Sequence, residues 1–217
     1  MFILPYAERS ISVMIGDQLP LLLLLGVSIW LARWWMIDYH AALAGTPSEK
    51  PLPGSTPASG RAVAVASFGA LCLLGVETGG EHVLGLSAEQ STMTALFGLY
   101  SILGAPVIEE VVFRGYLVIE DRGRVALWAG VVGVSLLFAL LHPFLWQWNG
   151  KGLTVLFTAK AWFSTAAIFA GSLWFYTVRF YGLNPQHSLL PCFVAHATKN
   201  LGVFAIKYVQ GFVGGWW

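Results

Sequence analysis

The sequence predicts an all-α fold, a polytopic transmembrane helical bundle. Hydrophobic residues make up 57% of its 217 positions and charged residues 11%, whereas soluble domains have about 45–50% apolar and about 25% charged residues. Too little polar surface remains to cover a soluble particle. Because a spanning helix needs about 20 residues, the chain can form roughly five to seven spans in one compact domain. The formal net charge of +1, without a Lys/Arg cluster, argues against a nucleic-acid partner.

The first predicted element is an N-terminal transmembrane helix, within residues 1–44. Its apolar segment begins near Val13, contains Pro20 and ends at Arg33. The length of the segment and the tryptophans near its end indicate a retained membrane helix rather than a cleaved signal peptide. Residues 45–60 follow and are rich in Pro, Ser and Gly, with no apolar face to bury. We expect this segment to be a solvent-exposed linker.

Residues 61–217 are predicted to form the remainder of the bundle. Five apolar segments follow one another here: 62–76, 91–119, 125–146, 153–178 and 189–213. Together with the N-terminal helix they give about six spans, within a range of five to eight helices. A Gly- and acid-rich connection, with Glu77 and Glu81, follows the first of them. The Lys and Arg residues near the segment ends predict that the linker and the turn at Asp121 are cytoplasmic and that both termini are outside.

Two adjacent acids, Glu109 and Glu110, lie in one of these apolar segments, with Arg114 shortly after them. Ionisable side chains at bilayer depth cost about 2.5–3.5 kcal/mol each on insertion scales, and therefore indicate a functional site. Glu110 and Arg114 have the i,i+4 spacing of a helical ion pair. Glu109 points about 100° round the helix, without a local cation, which suits a general base. The alternative is that both acids are structural and close the bundle through ion pairs.

Two histidines and an asparagine are the other polar candidates. His142 precedes Pro143, so the helix is expected to end or bend there and to expose the ring, although a structural histidine is the alternative. His196 and Asn200 share a helical face and can donate hydrogen bonds to one point, as an oxyanion hole requires. Lys199 lies off that face and is predicted to snorkel or to form an ion pair.

The other ionisable residues in or near the apolar segments are weaker candidates. We interpret them as interfacial or structural because they belong to no motif: Glu77, His82, Lys160 and Lys207.

Three motifs, in order on separate apolar segments, give the chain a family resemblance. They are Glu-Glu-x-x-x-Arg at 109–114, Phe-x-x-x-His at 138–142 and His-x-x-x-Asn at 196–200. Together they resemble the CAAX protease and bacteriocin-processing (CPBP, or Abi) family, whose members are similar to the type II CAAX prenyl endopeptidases. The resemblance covers about residues 91–210. It implies an intramembrane endopeptidase, with a helical bundle that encloses a polar cavity.

The resemblance also implies roles for single residues. Glu109 and His142 would activate a water molecule, His196 and Asn200 would stabilise the oxyanion, and Glu110 with Arg114 would support the site. The expected partners are a peptide or small-protein substrate and the lipid bilayer. Short loops and a compact chain fit a multi-pass protein of a prokaryotic plasma membrane.

The sequence leaves two questions open: whether the protein needs a metal, and whether it is catalytically active. No cofactor is expected, but Glu109, His142 and His196 offer the His₂Glu set of some catalytic zinc sites. The His-Glu-x-x-His helix of many zinc proteases is absent, and the resemblance favours metal-independent glutamate catalysis. Two alternatives are a non-catalytic protein of the same fold, for bacteriocin immunity or as a scaffold, and a small transporter or proton relay, for which we see no internal repeat.

Overall fold

The computed structural model describes residues 11–149 and 152–216, and it confirms an all-α bundle. Residues 1–10 of the predicted N-terminal region, and residues 150, 151 and 217 of the predicted bundle, lie outside the described residues. The elements in chain order are α1 Ile11–Leu43, α2 Gly60–Val83, α3 Ala95–Leu103, α4 Ala105–Glu109, a π-helical segment Glu110–Tyr116, α5 Gly123–Leu141, β1 Trp146–Asn149, β2 Gly152–Val155, α6 Ala159–Phe180 and α7 Leu190–Val209.

Five stretches of the described residues are long and apolar enough to cross a bilayer, so the chain is an integral, multi-pass membrane protein. They are Gln18–Leu43, Gly60–Val83, Ala95–Tyr116, Gly123–Leu141 and Ala159–Phe180. The sixth predicted span is α7, which has the length of a span, 20 residues. It carries several polar side chains and packs against α2, α3 and α6. An apolar core around Trp35, Phe175 and Leu189 joins α1, α2, α6 and α7.

Local sequence explains where several helices begin and end. Helices α2, α3 and α6 start at hydroxyl N-caps whose side-chain oxygens accept a hydrogen bond from a first-turn backbone N–H: Ser59, Thr94 and Thr158. Such caps satisfy donors that have no partner within the helix. Helix α5 ends at Leu141, and His142 is its C-cap with extended backbone. The predicted helix end before Pro143 is therefore confirmed.

The predicted long segment 91–119 is not one regular helix. It divides at Gly104 into α3 and α4, and then changes to π-helical geometry at Glu110. Short π-helical segments are rare and are frequently found at functional sites. The Tyr176 hydroxyl donates to the carbonyls of Phe113 (2.5 Å) and Leu117 (3.2 Å), which supports the end of the π segment. Glu109 and Glu110 therefore lie on either side of a change in helix geometry.

The linker is solvent-exposed at its two ends but partly or fully buried at residues 52–58, so the prediction of an exposed linker is wrong for that middle part. The Trp35 indole donates to the Pro53 carbonyl (3.1 Å), and the Leu189 N–H donates to the Gly54 carbonyl (2.9 Å). Ser55 is 2% exposed. Backbone groups need partners whatever the side chains are, so a segment without an apolar face can still pack when it supplies them. Gly54 has φ +61°, a conformation that favours glycine.

Two further boundaries differ from the prediction. Glu77 and Glu81 belong to α2 rather than to a connection, because the helix continues through two glycines to Val83. A Cβ at Gly80 would overlap the Phe163 ring, so glycine lets α2 and α6 approach closely there. The antiparallel hairpin β1–β2, which pairs Trp146 with Val155, was not predicted, since its residues read as ends of apolar spans.

The loops gather at two ends of the bundle. At one, here called the linker end, the linker meets the 181–189 loop, and Arg179 pairs with Glu120 of the 117–122 turn (2.9 Å). At the other, here called the hairpin end, lie the 84–94 connection, the β1–β2 hairpin and residues 210–216. The Met93 N–H donates to the Phe212 carbonyl there (2.9 Å). The linker and the Asp121 turn thus share one end, although the side of the membrane stays a prediction.

Candidate active site

A cavity of about 650 Å³ lies inside the bundle, with charged and polar side chains in a mainly apolar wall. Helices α2, α3, α5, α6 and α7 contribute to its wall, and the cavity extends to the hairpin end through Phe144 and Leu156. All four residues that the resemblance marks as catalytic line it: Glu109, His142, His196 and Asn200. The structure therefore brings together side chains that are distant in the sequence.

Glu109 is the last residue of α4 and the more accessible of the two acids. Its side chain is 24% exposed, and its Oε2 is 3.8 Å from His196 Nε2. Within the described part of the chain, Oε2 is buried and has no hydrogen-bond partner. Glu109 was expected to have no cation nearby, but the imidazole of α7 lies beside it. A carboxylate oxygen that no donor occupies is available to accept a proton from a bound water.

Glu110, by contrast, is fully buried, and its Oε1 has two partners, whereas its Oε2 has no hydrogen-bond partner among the described residues. Its Oε1 is 3.4 Å from Arg114 Nη1, which confirms the predicted i,i+4 ion pair. The same oxygen accepts a hydrogen bond from His196 Nδ1 at 2.7 Å. This second contact joins residues 86 positions apart and was not predicted. Glu110 thus connects the π segment to α7 as well as to its own helix.

Arg114 is buried among polar and aromatic side chains, although its Nε and Nη1 have no hydrogen-bond partner among the described residues. Its Nη2 donates to the Ser172 hydroxyl (2.7 Å), which donates to Ser135 (3.0 Å). The guanidinium carbon lies 4.4 Å from the centre of the Phe138 ring and 5.1 Å from that of Tyr176. Aromatic faces attract cations, which compensates in part for the loss of water around a buried guanidinium. Phe138, the first residue of the Phe-x-x-x-His motif, therefore packs against the arginine of the first motif.

His196 is buried and stacks on the Phe175 ring, with centroids 4.9 Å apart. Because Glu110 accepts from Nδ1, the hydrogen-bond pattern assigns a proton to that nitrogen. Nε2 then faces Glu109, and it donates only when the ring carries both protons. The ring is thus fixed in orientation by a carboxylate on one nitrogen and presents the other to the cavity.

His142, the C-cap of α5, is fixed by a contact with its own helix. Its Nδ1 is 2.8 Å from the Phe138 carbonyl, an acceptor, so Nδ1 carries a proton and the neutral ring has Nε2 as a proton acceptor. Among the described residues, the ionic contact to Glu109 comes from His196 rather than from His142. His142 and Glu109 both line the cavity.

Asn200 and Lys199 follow His196 on α7. The Asn200 amide donates to the Ser101 carbonyl of α3 at 2.6 Å, and an amide nitrogen has a second N–H to offer. Lys199 forms an ion pair with Glu77 of α2 at 2.9 Å. Of the two predictions for Lys199, the ion pair is therefore confirmed. Both residues line the cavity.

A second charged group, which was not predicted from the sequence, lies in the same cavity near the hairpin end. Lys160 pairs with Glu81, and Gln90 donates to the same carboxylate. Lys207 donates to the carbonyl of Ser91 at 2.5 Å. A helical-wheel signal was present, because Lys207 follows His196 by eleven positions, which brings it back within about 20° of the same face at 100° per residue.

The residues proposed for zinc do not form a ligand set. Among the described residues, no group of three or more His, Cys, Asp or Glu side chains is placed to hold a metal ion. His196 Nδ1 is already bonded to Glu110, and His142 Nδ1 to a backbone carbonyl. These bonds leave both Nε2 atoms able to bind a metal, as in many zinc-binding histidines, so it is the placement of the side chains that gives no three-ligand zinc site among the described residues.

The fold and the site define a class: a polytopic membrane protein with an acid, two histidines and an amide in a cavity inside the bundle. The family model described as Type II CAAX prenyl endopeptidase Rce1-like matches residues 91–202, slightly more than half of the 217-residue chain. The chain therefore belongs to this family, and the match contains all three motifs. No curated protein and no solved structure matches the chain. Membership makes it a membrane protease of the CAAX type, acting on peptide substrates.

Proposed function

We propose that the protein is an intramembrane endopeptidase that hydrolyses a peptide bond in a small protein or a peptide tail, with a water activated by Glu109 and His142. The observation that carries the proposal is the Glu109 carboxylate. Its Oε2 is buried without a donor among the described residues, and the carboxylate lines the same cavity as His142, His196 and Asn200.

The reaction needs one water and no external reagent. Glu109, assisted by His142 Nε2, removes a proton from the water as its oxygen attacks the carbonyl carbon of the scissile bond. A tetrahedral oxyanion forms. When it collapses, the carbon–nitrogen bond breaks, and the proton held by the base passes to the leaving amine. The products are a new carboxyl terminus and a new amino terminus.

His196 and Asn200 are the proposed oxyanion donors. They lie one turn apart on α7, so His196 Nε2 and the second Asn200 N–H can approach one oxygen. Glu110 fixes the His196 ring through its Nδ1, and its charge stabilises the ring when both nitrogens carry protons. Donors fixed in advance, in a cavity that excludes water, stabilise developing charge more than mobile donors do in solution.

Glu110 and Arg114 then act as positioning residues. Both are fully buried, and their contacts with Ser172, Phe138 and His196 hold the π segment against α5, α6 and α7. We propose no cofactor. The host is proposed to be a prokaryotic plasma membrane, and the substrate a peptide tail that reaches the cavity from the bilayer or its surface.

Replacement of Glu109 tests the proposal. We expect Glu109→Gln, in protein reconstituted into vesicles, to lower cleavage of a farnesylated peptide by about 100- to 10,000-fold, the usual contribution of a general base. The matched control is Glu49→Gln, the same change at an exposed linker position, which should keep wild-type activity. Cleavage by Glu109→Gln at the wild-type rate would contradict the assignment. The same peptide without its prenyl group shows whether the lipid is required.

Two further measurements separate the alternatives. Activity after treatment with a chelator, with metal content determined on the same sample, tests the zinc-dependent version: we expect full activity, and a loss restored by zinc would favour that version instead. Terminal-peptide profiling of cells with wild type or Glu109→Gln tests the non-catalytic alternative. New termini that depend on Glu109 support the enzyme, and identical profiles support a binding or scaffold role.

A further inference from the structure

The connection between α5 and α6 is unusually apolar for a loop. Between His142 and Lys160 the sequence contains one charged residue, Lys151. Connections that lie in water are normally polar and charged. A large exposed apolar surface marks a site of contact with another protein or with a membrane. The composition therefore indicates that part of this connection contacts something other than water.

The pairing of β1 with β2 places apolar side chains of the connection together on one face. Trp146 is opposite Val155, and Trp148 is opposite Leu153. Residues that lie opposite each other in an antiparallel pair share a face of the sheet. Trp148 is 75% exposed and Leu153 is 60% exposed. This surface, here called the hairpin face, is therefore apolar and not covered by the rest of the described chain.

The alternation of the strands separates the hairpin face from the cavity. Phe157, two residues beyond Val155, is also exposed and continues the face. Leu156 lies between them on the opposite side, where it lines the cavity, and its N–H donates to the Leu145 carbonyl (2.8 Å). On β1, the polar Gln147 is on that opposite side as well. One side of the connection thus reaches the cavity, and the other faces away from it.

The lengths of the helices place the hairpin at the boundary of the bilayer. Helix α5 has 19 residues, which at 1.5 Å per residue is about 28 Å, close to the thickness of the hydrocarbon core, about 30 Å. The Trp146 indole donates to the Leu140 carbonyl in the last turn of α5 (2.8 Å), so the hairpin stays beside the helix end. The ends of both flanking spans have exposed apolar side chains, Leu141 and Trp162. The hairpin face therefore continues the lipid-facing surface of the two spans.

We propose that the hairpin face inserts into the interfacial region of the lipid leaflet at the hairpin end, between the headgroups and the first carbons of the acyl chains. Tryptophan favours this region, because its ring is apolar and its N–H is polar. The outer edges of a two-stranded hairpin keep unpaired backbone groups. Water in the interface can satisfy these groups, whereas the hydrocarbon interior cannot.

The inference gives the protein a lipid contact outside its membrane spans. Because Leu156 of the same connection lines the cavity, the contact also holds this part of the cavity wall at the depth of the headgroups. The inference is independent of the proposed function, since a lipid contact requires no catalysis.

The experiment measures the depth of single fluorescent labels in the full chain, reconstituted into phosphatidylcholine vesicles. The background is Cys72→Ala, which removes the exposed cysteine, while the buried Cys192 stays in place. An NBD label is attached at Trp148→Cys, Leu153→Cys or Phe157→Cys. Quenching is measured with iodide in the water, and with lipids that carry a doxyl group either near the headgroup or near the chain end. We expect the shallow doxyl lipid to quench all three labels more than the deep one, and iodide to quench them weakly.

Three matched controls define the scale of quenching. Gln147→Cys labels the opposite side of the same hairpin, and the shallow doxyl lipid should quench it less than Trp148→Cys. Glu49→Cys, at an exposed linker position, should be quenched several-fold more by iodide than the labels on the hairpin face. Val132→Cys, exposed in the middle of α5, should be quenched more by the deep doxyl lipid than by the shallow one. Thermal unfolding of each labelled variant identifies any that does not fold, and the remaining positions of the face then carry the test.

Three results would overturn the inference. Labels on the hairpin face that iodide quenches as strongly as the label at Glu49→Cys would show that the face lies in water. Protection from iodide and from both doxyl lipids would show that protein covers the face, and cross-linking would then identify a second copy of the chain. Equal quenching by the shallow lipid at Gln147→Cys and Trp148→Cys would show that the hairpin presents no particular face to the membrane.

Discussion

The two charged layers of the cavity differ in how completely they are enclosed. In the inner layer, Glu110 and Arg114 have side chains with 0% exposure and His196 has 8%. In the outer layer, at the hairpin end, Glu81 and Lys160 keep 11% and 14%, and Lys207 donates hydrogen bonds to the neutral Ser91. Burial makes a broken ion pair expensive, so the inner layer fixes the fold of the site, while the outer layer can exchange partners with a ligand.

The difference follows from where each layer lies in the chain. The inner layer belongs to the interior of a predicted span, where the π segment, α5, α6 and α7 meet. The outer layer includes loop residues, Gln90 and Ser91, beside the hairpin. Loops tolerate variation and carry recognition, whereas an unpaired polar group is costly in a packed, buried network. Substitutions in the two layers should therefore have different kinds of effect.

The largest effect should come from Arg114→Met, which removes the cation of the inner layer. Glu110 would remain buried without it, and breaking a buried pair in this way costs about 3–5 kcal/mol. We expect a strongly lowered unfolding temperature in detergent and loss of activity. Arg124→Met, at an exposed position, is the control. Equal stability of the two variants would show that the inner layer does not hold the bundle together.

Asn200→Ala should affect activity far more than stability. Removal of one oxyanion donor costs about 100- to 1,000-fold in rate in a well-studied enzyme, and His196→Ala should be comparable. The lost hydrogen bond to Ser101 is worth only about 1 kcal/mol of folding free energy. Peptide cleavage and thermal unfolding, measured on one preparation, check both parts, with Gln186→Ala as the exposed amide control. A rate within threefold of wild type would remove Asn200 from the mechanism.

Lys199→Met should have a smaller effect on stability than Arg114→Met. Its partner Glu77 has a side chain that is 20% exposed, so water can partly replace the lost ion pair, and we expect about 1–2 kcal/mol. The smallest effect should come from Glu120→Gln at the linker end, where the carboxylate is 40% exposed and the pair is worth about 0–1 kcal/mol. Denaturation of Arg114→Met, Lys199→Met and Glu120→Gln in parallel tests this order of stability losses. A reversed order would refute the claim that the loss of stability grows with the burial of the ion pair.

The sequence was sufficient for the features that depend on local pattern. Hydropathy located the helices, and Pro143 located the end of α5 at His142. The i,i+4 spacing predicted the Glu110–Arg114 pair, and three motifs in order identified the family. Each of these signals is carried by residues within a few turns of one another, so periodicity and propensity suffice to read them.

The rest depends on contacts between distant segments. The Glu110–His196 bond spans 86 residues, and no local rule predicts it. The π geometry at Glu110 has a tertiary support in the Tyr176 hydroxyl. Glu77 and Glu81 were predicted to lie in a connection because glycines and acids lower the hydropathy. Helix α2 nevertheless continues through them, since it packs against Phe163 and its two acids pair with lysines of the cavity. The packed part of the linker, residues 52–58, is held by backbone carbonyls that accept hydrogen bonds from Trp35 and Leu189. A sequence pattern does not show such backbone contacts.

The most direct test of the account compares Glu109→Gln with Glu110→Gln, two identical changes at adjacent positions. Peptide cleavage and thermal unfolding would be measured for both in the same vesicles. We predict that Glu109→Gln loses cleavage and keeps the wild-type unfolding temperature. Among the described residues, the only ionic contact of the Glu109 carboxylate is the 3.8 Å approach to His196 Nε2. Glu110→Gln should lower the unfolding temperature, since Arg114 and His196 both use its carboxylate. Full cleavage by Glu109→Gln together with wild-type stability of Glu110→Gln would contradict the central claim. That claim is that Glu109 is the general base and that Glu110 holds the site in place.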